Sequence, residues 1–226
     1  MHIDEKWFYL SKETTTFYTT PTEEDPYRTA QSKKFIPKIM FLAAVGRPRL
    51  RDNGEVLWDG KVRIFPFTYE DTAKRSSKNR PAGTLETKAS VSITRLVIKE
   101  MILNELLPAI KQTWPDADNR RVIIQQDNAR PHIDINDPDF VREGTKDGWN
   151  IQSTCQPPNS PDLNVLDLGF FRTIDAIKDQ KAPKTITDLS SAHFCKHIVV
   201  GRQYNAICID QHSVHQFNFC PNVRKW

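Results

Sequence analysis

A change of hydrophobic period near residue 92 constrains the fold of this chain more than any other feature. Between about Ser92 and Thr113, apolar residues recur at spacings of three and four, which is typical of an amphipathic helix. Short apolar or alternating runs before this segment predict strands, and after it strand-like runs alternate with helical ones. This order predicts an α/β fold in which one mixed sheet carries helices on its faces.

The predicted strands are short and are bounded by glycine, proline or aspartate. Residues 35–46 form a strongly apolar run that suits a central strand. Asp59 and Gly60 separate two shorter runs, which predicts a hairpin over residues 54–67. Residues 68–83 are basic and contain Ser and Pro, so they predict a loop. The other predicted strands are residues 2–10, 14–20, 121–127 and 149–158. Residues 135–144 are predicted to form a loop or a short helix, and a further helix is predicted over 167–180.

Composition places the chain among ordinary soluble globular proteins, since 38% of its 226 residues are hydrophobic and 27% are charged. A run of eighteen apolar residues does not occur, so no membrane span is expected. The first residues lack the pattern of a signal peptide. The cysteines show no C-x-x-C spacing, which favours free thiols over a zinc site; they are Cys155, Cys195, Cys208 and Cys220.

Positive charge is concentrated in two short segments, although the formal net charge of +4 is weak evidence for a nucleic-acid partner. One segment is residues 47–51. The other, residues 73–81, holds four basic residues and no acidic one, namely Lys74, Arg75, Lys78 and Arg80. From composition alone, a solvated loop and a DNA-binding loop are both open.

Three aspartates lie within or at the ends of predicted elements. Asp4 is within the first strand, Asp127 ends a buried strand, and Asp167 begins or precedes a helix, with thirty-nine residues between the last two. Ligand crevices open at the carboxyl ends of strands in α/β sheets, so these carboxylates could meet. For each aspartate alone, a helix- or turn-capping role is also open.

Carboxylates that cluster repel one another unless a cation lies among them. Hard oxygen ligands without Cys or paired His favour Mg²⁺ or Mn²⁺. Two such ions, about 3.5–4 Å apart, would hold the attacking and leaving oxygens of a phosphoryl transfer.

The segments around these aspartates resemble the mariner-type transposases of the DDE/DDD superfamily. They read "HIDEKWFY" (2–9), "QQDNARPH" (125–132) and "PPNSPDLNVLDLGFF" (157–171). The thirty-nine-residue gap is similar to that of the all-aspartate branch found among plant and related mariner-like elements. Residues 35–49 and 73–88 are further matches to that branch.

This resemblance implies an RNase H-like fold, a five-stranded mixed sheet flanked by helices. It implies that Asp4, Asp127 and Asp167 are catalytic and bind two Mg²⁺ or Mn²⁺ ions for DNA strand cleavage and strand transfer. Asp162, thirty-four residues after Asp127, is the rival third carboxylate. The alignment of "LDLGFF" favours Asp167, and Asp162 is then expected to brace its loop with Asn164.

Smaller roles follow from the same resemblance. Asn128 and His132 are candidates for contacting a scissile phosphate or a metal-bound water, and a structural role is equally open for each. Residues 73–88 lie where mariner-type enzymes insert a loop that contacts DNA and the partner subunit. The resemblance therefore favours DNA contact by four residues of this basic inserted loop: Lys74, Arg75, Lys78 and Arg80.

The expected partners are DNA, as transposon ends and target, and a second copy of the chain or a full-length transposase. No membrane partner is expected, and the nucleus of a eukaryotic host is the expected location.

The chain departs from the mariner pattern at both ends. We expect the helix-turn-helix modules of these transposases to be absent, because Asp4 lies almost at the start of the sequence, and the resemblance fades after about residue 192. We expect residues 1–192 to form the catalytic domain and residues 193–226 to be a divergent tail, frameshifted or disordered. The alternative function is an inactive transposase remnant that only binds DNA weakly or dimerises.

Overall fold

The computed structural model of the chain describes residues 1–11, 20–22, 33–78, 80–116 and 118–191. Its strands are β1 (His2–Tyr9), β2 (Lys38–Val45), β3 (Arg49–Leu50), β4 (Val56–Trp58), β5 (Lys61–Pro66), β6 (Thr68–Thr72), β7 (Leu85–Ala89), β8 (Arg121–Gln126) and β9 (Asn150–Cys155). Its α-helices are α1 (Arg95–Met101), α2 (Leu107–Thr113), α3 (Pro138–Thr145), α4 (Phe171–Lys181) and α5 (Ile186–Ser190). Two π-turns, Ile102–Leu106 and Leu166–Phe170, lie directly before α2 and α4.

Five of the described strands form the central sheet, in the order β5-β2-β1-β8-β9. β1 pairs antiparallel with β2 along its whole length, from His2 opposite Val45 to Tyr9 opposite Lys38. β2 is antiparallel to β5, whereas β8 is parallel to both β1 and β9. This mixed sheet confirms the predicted α/β, RNase H-like fold class.

An apolar core covers each face of the sheet. Ile3 packs with residues of α1, α2 and α3 on one face, and Phe8 packs with Phe171 and Ile174 of α4 on the other. Because successive side chains of a strand point to opposite faces, Asp4 lies on the α4 side of β1. Glu5 lies on the side of α1, α2 and α3.

The helix predicted over residues 92–113 is confirmed as a continuous helical segment from Arg95 to Thr113. Pro108 lacks an N–H and cannot donate to the carbonyl four residues earlier. The N–H of Leu107 bonds to the carbonyl of Ile102, five residues back. This π-turn accommodates the proline, and the helix continues beyond it.

The hairpin predicted at Asp59-Gly60 is wrong. β4 pairs with β3, and β5 pairs with β2 in the central sheet. Gly60 has a φ of 82°, and its carbonyl accepts a hydrogen bond from the N–H of Gly46. This left-handed residue turns the chain from a two-stranded sheet into the central sheet instead of closing a hairpin.

The basic segment belongs to a β-hairpin, so the loop predicted over residues 68–83, or 73–88, is correct only in part. Residues 68–72 and 85–88 of the predicted loop lie in strands, whereas the described residues from 73 to 84 lie outside these strands and connect them. β6 and β7 pair antiparallel from Thr68 opposite Ala89 to Thr72 opposite Leu85. These strands are polar and half exposed, so they lack the apolar alternation on which the other strands were predicted.

The other predicted strands and helices of the described part are present, with ends shifted by a few residues. Apart from Thr20, the predicted strand over residues 14–20 lies outside the described residues, as does the tail 193–226. Among the described residues, no helix has the length and apolar character needed to cross a membrane.

Candidate functional site

Asp4 is a buried carboxylate in the central strand β1, with only 8% of its surface exposed. Its Oδ1 accepts a hydrogen bond from the N–H of Glu5 at 2.7 Å, and its Oδ2 accepts one from Nδ2 of Asn164 at 2.8 Å. Burial raises the pKa of Asp4 to about 6, against the lowering effect of these hydrogen bonds, and the charge of Asp167 also raises it. The folded chain therefore holds this carboxylate in a place where its charge is disfavoured.

Asp167 lies in the π-turn that leads into α4, and Asn164 joins it to Asp4. Nδ2 of Asn164 donates to Oδ2 of Asp167 at 2.8 Å, the same distance as to Oδ2 of Asp4. Oδ1 of Asn164 accepts from the N–H of Leu166 at 3.2 Å, which fixes the orientation of the amide. The structure thus brings together two of the three predicted aspartates.

Asp127 directly follows β8. Its neighbour Gln125 pairs with His2 of β1, so extending this parallel register by two residues sets Asp127 level with Asp4. The Asp127 carboxylate, however, contacts its own loop: Oδ1 accepts from the N–H of Ala129 at 2.8 Å and lies 2.8 Å from Nδ1 of His132. Within the described residues, no group of three or more His, Cys, Asp or Glu side chains is arranged to hold a metal ion.

His132 is buried between two acidic side chains. Its Nε2 lies 2.7 Å from Oε2 of Glu5, and its Nδ1 lies 2.8 Å from Oδ1 of Asp127. Burial lowers the pKa of His132, but the hydrogen bond and charge of Glu5, together with the carbonyl and charge of Asp127, outweigh it and raise the pKa to about 9. His132 is therefore a cation at neutral pH, and it ties the loop after β8 to β1.

The donor set fits a hard divalent cation in part. Asp4 and Asp167 each direct one oxygen to the same small group, Nδ2 of Asn164. Carboxylate oxygens are the ligands that Mg²⁺ and Mn²⁺ prefer. Asp127 would have to leave His132 to join them.

A second link between β1 and α4 was not found from the sequence. Nζ of Lys6 lies 2.9 Å from Oδ2 of Asp175, and it lies 5.7 Å from the ring centroid of Phe171. Lys6 follows Asp4 by two residues, and Asp175 follows Asp167 by eight, about two helical turns. A spacing of two in a strand and of about two turns in a helix each place two side chains on the same face. These spacings were therefore the signal in the sequence for a pair that aligns α4 with β1.

The four basic residues predicted to bind DNA fall into two groups. Lys74, Arg75 and Lys78 are exposed at the end of the β6–β7 hairpin. Arg80 is half-buried, and its Nε lies 2.8 Å from Oε1 of Glu86 on β7. Arg80 therefore stabilises the hairpin, whereas the other three present their charge to solvent.

The remaining candidates lie in loops around the site. Asn128 is exposed and donates from Nδ2 to the carbonyl of Gln156 at 2.7 Å, which joins the loops after β8 and β9. Asp162 is exposed in the short turn Pro161–Leu163. Asp162 and Asn164 were expected to brace this loop. Asn164 has a further role, because its side-chain amide donates hydrogen bonds to the carboxylates of Asp4 and Asp167.

No protein-family model and no curated protein matches the chain. Among solved structures, it is similar to a pre-cleavage Mos1 transpososome at 16% identity, over 83% of this chain and 45% of that chain, with a TM-score of 0.47. It is similar to the Mos1 transposase paired-end complex with left transposon end at 18% identity, over 77% of this chain and 40% of that chain, with a TM-score of 0.40. It is similar to the Mos1 mariner paired-end complex with Mn at 18% identity, over 78% of this chain and 41% of that chain, with a TM-score of 0.43. The chain spans less than half the length of these proteins.

Proposed function

We propose that this chain is the catalytic domain of a mariner-like DNA transposase of the all-aspartate branch, which cleaves and transfers DNA strands. The observation that carries the proposal is the convergence of Asp4 and Asp167 on one donor atom within an RNase H-like sheet. Asp127 follows the adjacent strand, and the motifs around all three residues resemble those of mariner-type enzymes.

In this proposal Asp4, Asp127 and Asp167 are the ligands of two Mg²⁺ or Mn²⁺ ions. When bound, such ions stabilise the charge on the attacking and leaving oxygens of a phosphoryl transfer. The central strand β1 fixes the position of Asp4, and the Lys6–Asp175 pair aligns α4, and with it Asp167, on that strand. His132 holds the loop that carries Asp127.

Nicking of a supercoiled plasmid in the presence of Mn²⁺ tests this function without knowledge of the transposon ends. We expect the wild type to nick the plasmid, and Asp127→Ala and Asp167→Asn to reduce nicking to the level seen without protein. Asp162→Asn is the matched control, because Asp162 is the rival carboxylate on the same loop and is exposed. Loss of nicking in Asp162→Asn, with Asp167→Asn still active, would exchange the roles of these two residues.

The exposed end of the β6–β7 hairpin is the proposed DNA contact. Replacing Lys74, Arg75 and Lys78 by Ala should weaken binding to random-sequence duplex and lower the log–log salt slope by up to about 3, since each phosphate contact contributes about 0.9. Replacing the exposed Arg121, Lys181 and Lys184 removes the same charge elsewhere and should leave the slope near the wild-type value. Fluorescence anisotropy over a range of salt concentrations measures both.

One observation favours the alternative of an inactive remnant: the Asp127 carboxylate contacts His132 and lies outside any ready metal-binding group of the described residues. Such a remnant would bind plasmid with the same salt dependence and would not nick it. It would then act as a weak DNA-binding module or by pairing with a second copy or a full-length transposase. For either function, the nucleus of a eukaryotic host is the proposed location.

A further inference from the structure

We propose that Asn164 is a positioning residue whose side-chain amide competes with a divalent cation for Asp4 and Asp167. In the metal-free chain the amide holds the two carboxylates together, and it must be displaced when a cation binds them. This inference rests on the proposed function, because it assumes that these two aspartates are metal ligands.

The amide of Asn164 is fully engaged. Nδ2 carries two hydrogens, and it donates to Oδ2 of Asp4 and to Oδ2 of Asp167, both at 2.8 Å. Oδ1 accepts from the N–H of Leu166 at 3.2 Å. The Nδ2 group therefore occupies the place toward which one oxygen of each carboxylate is directed.

The backbone of Asn164 is also fixed. Its N–H donates to the carbonyl of Pro161 at 3.1 Å, and its carbonyl accepts from the N–H groups of Asp167 and Leu168 at 3.2 and 3.3 Å. Movement of the amide away from the carboxylates therefore requires rotation of the side chain, not displacement of the loop. Asn164 is half-buried, so there is solvent on one side into which the side chain can rotate.

The amide and a cation perform the same electrostatic task to different degrees. Two neighbouring carboxylates repel each other, and a donor group between them offsets that repulsion with a partial charge. A divalent cation offsets the repulsion with two positive charges, but it can bind there only if the two charge-assisted hydrogen bonds from Asn164 are broken. Loss of the amide should therefore have two opposite effects: lower stability of the metal-free chain and tighter binding of metal. A residue with a merely structural role would weaken both.

Titration calorimetry with Mn²⁺, on folded protein, and thermal unfolding without metal separate these effects. Asn164→Ser retains an acceptor for the N–H of Leu166, but its hydroxyl is too short to bridge both carboxylates. Asn164→Ala is the second replacement, so that the test does not depend on one variant folding. Asn119→Ser is the matched control, because Oδ1 of Asn119 also accepts from the N–H two residues later, that of Arg121, at 3.2 Å.

We expect both Asn164 variants to melt below the wild type without metal and to bind Mn²⁺ about tenfold more tightly, as the loss of charge-assisted hydrogen bonds implies. Asn119→Ser should bind Mn²⁺ as the wild type does. If the Asn164 variants bind Mn²⁺ and the wild type does not, the inference is also supported, since the amide would then exclude the metal from the wild type.

Equal affinities in wild type and Asn164 variants would overturn the inference and leave the proposed function intact. Weaker binding by the variants would overturn it too, because Asn164 would then assist the metal, as a ligand through Oδ1. Absence of Mn²⁺ binding in all of the proteins would overturn both the inference and the metal-dependent function.

Discussion

Asp4 and Glu5 are adjacent acidic residues on the central strand, and they meet opposite surroundings on its two faces. Both side chains are nearly inaccessible: Asp4 is 8% exposed, and the Glu5 side chain is 6% exposed. Glu5 faces the cation His132, whereas Asp4 faces a neutral amide and a second carboxylate. One face thus holds a closed ion pair, and the other holds an excess of negative charge.

This difference shows which buried carboxylate is suited to bind a cation. The charge of Glu5 is already compensated within the chain, so Glu5 serves to hold the loop after β8. The charge of Asp4 is not compensated, and its pKa is raised to about 6 mainly by burial. A divalent cation bound on the α4 face would offset the unfavourable charge of Asp4. On the opposite face it would find the charge of Glu5 already paired with His132.

The largest expected effect is that of Glu5→Gln, which breaks the closed pair. It removes the buried one of the two carboxylates that pair with the His132 cation and leaves only the partly exposed Asp127, so we expect the free energy of unfolding at pH 7 to fall by about 3 kcal/mol. Urea denaturation measures this loss. Glu70→Gln, at an exposed position of β6, should change stability by no more than about 0.5 kcal/mol.

The same pair has a pH signature. The pKa of His132 is raised to about 9 in the folded chain, above its ordinary value of 6.5. Its contribution to stability is therefore fully present below about pH 6.5 and is lost as the pH rises through about 9. A wild-type stability that stayed constant from pH 6.5 to 9, after subtraction of the Glu5→Gln curve, would contradict the assignment of His132 as a buried cation.

Asp4→Asn should stabilise the metal-free chain, whereas Glu5→Gln should destabilise it. The folded pKa of Asp4 lies above its unfolded value of 3.8, so its ionisation destabilises the metal-free chain increasingly as the pH rises from about 4 to about 6. Removing the charge should raise the free energy of unfolding at pH 7 by about 2–3 kcal/mol and abolish that pH dependence. Urea denaturation in the presence of a chelator, from pH 4 to 8, measures both, with the exposed Asp162→Asn as the control.

The smallest expected effect is that of Lys6→Met, which tests how much the ion pair on the α4 face of β1 contributes to stability. Lys6 and Asp175 are about one-third exposed, so water screens their attraction. We expect a loss of about 1 kcal/mol, including the contact of Lys6 with the Phe171 ring. Hydrogen exchange should become faster at the start of α4. Arg51→Met, which removes the more exposed pair with Glu55, should leave both stability and exchange unchanged.

Local patterns of apolar residues were sufficient for the α/β class, because they specify strand order and helical period. The expectation that Asp4 and Asp167 meet, and that the sheet is RNase H-like, came instead from the resemblance of their surrounding motifs to mariner-type transposases. Strand pairing at Asp59-Gly60 was not predictable from such patterns, since a turn signal does not specify which strand is the partner. The contact between Glu5 and His132 joins residues 127 positions apart. Nothing local distinguishes that glutamate from a solvated one. The role of Asn164 depends on the path of one loop, and sequence spacing does not specify the direction of a single amide.

The central position of β1 has a consequence for the synthesis of the chain. β1 precedes β8, its parallel neighbour, by more than one hundred residues. At ribosomal rates of about 5–20 residues per second, one edge of β1 waits roughly 6–22 s for its partner. An unpaired strand edge pairs readily with other chains, and charged side chains oppose that pairing. The charges of Asp4, Glu5 and Lys6 are therefore expected to oppose such pairing by the nascent strand before these residues take up their places in the folded site.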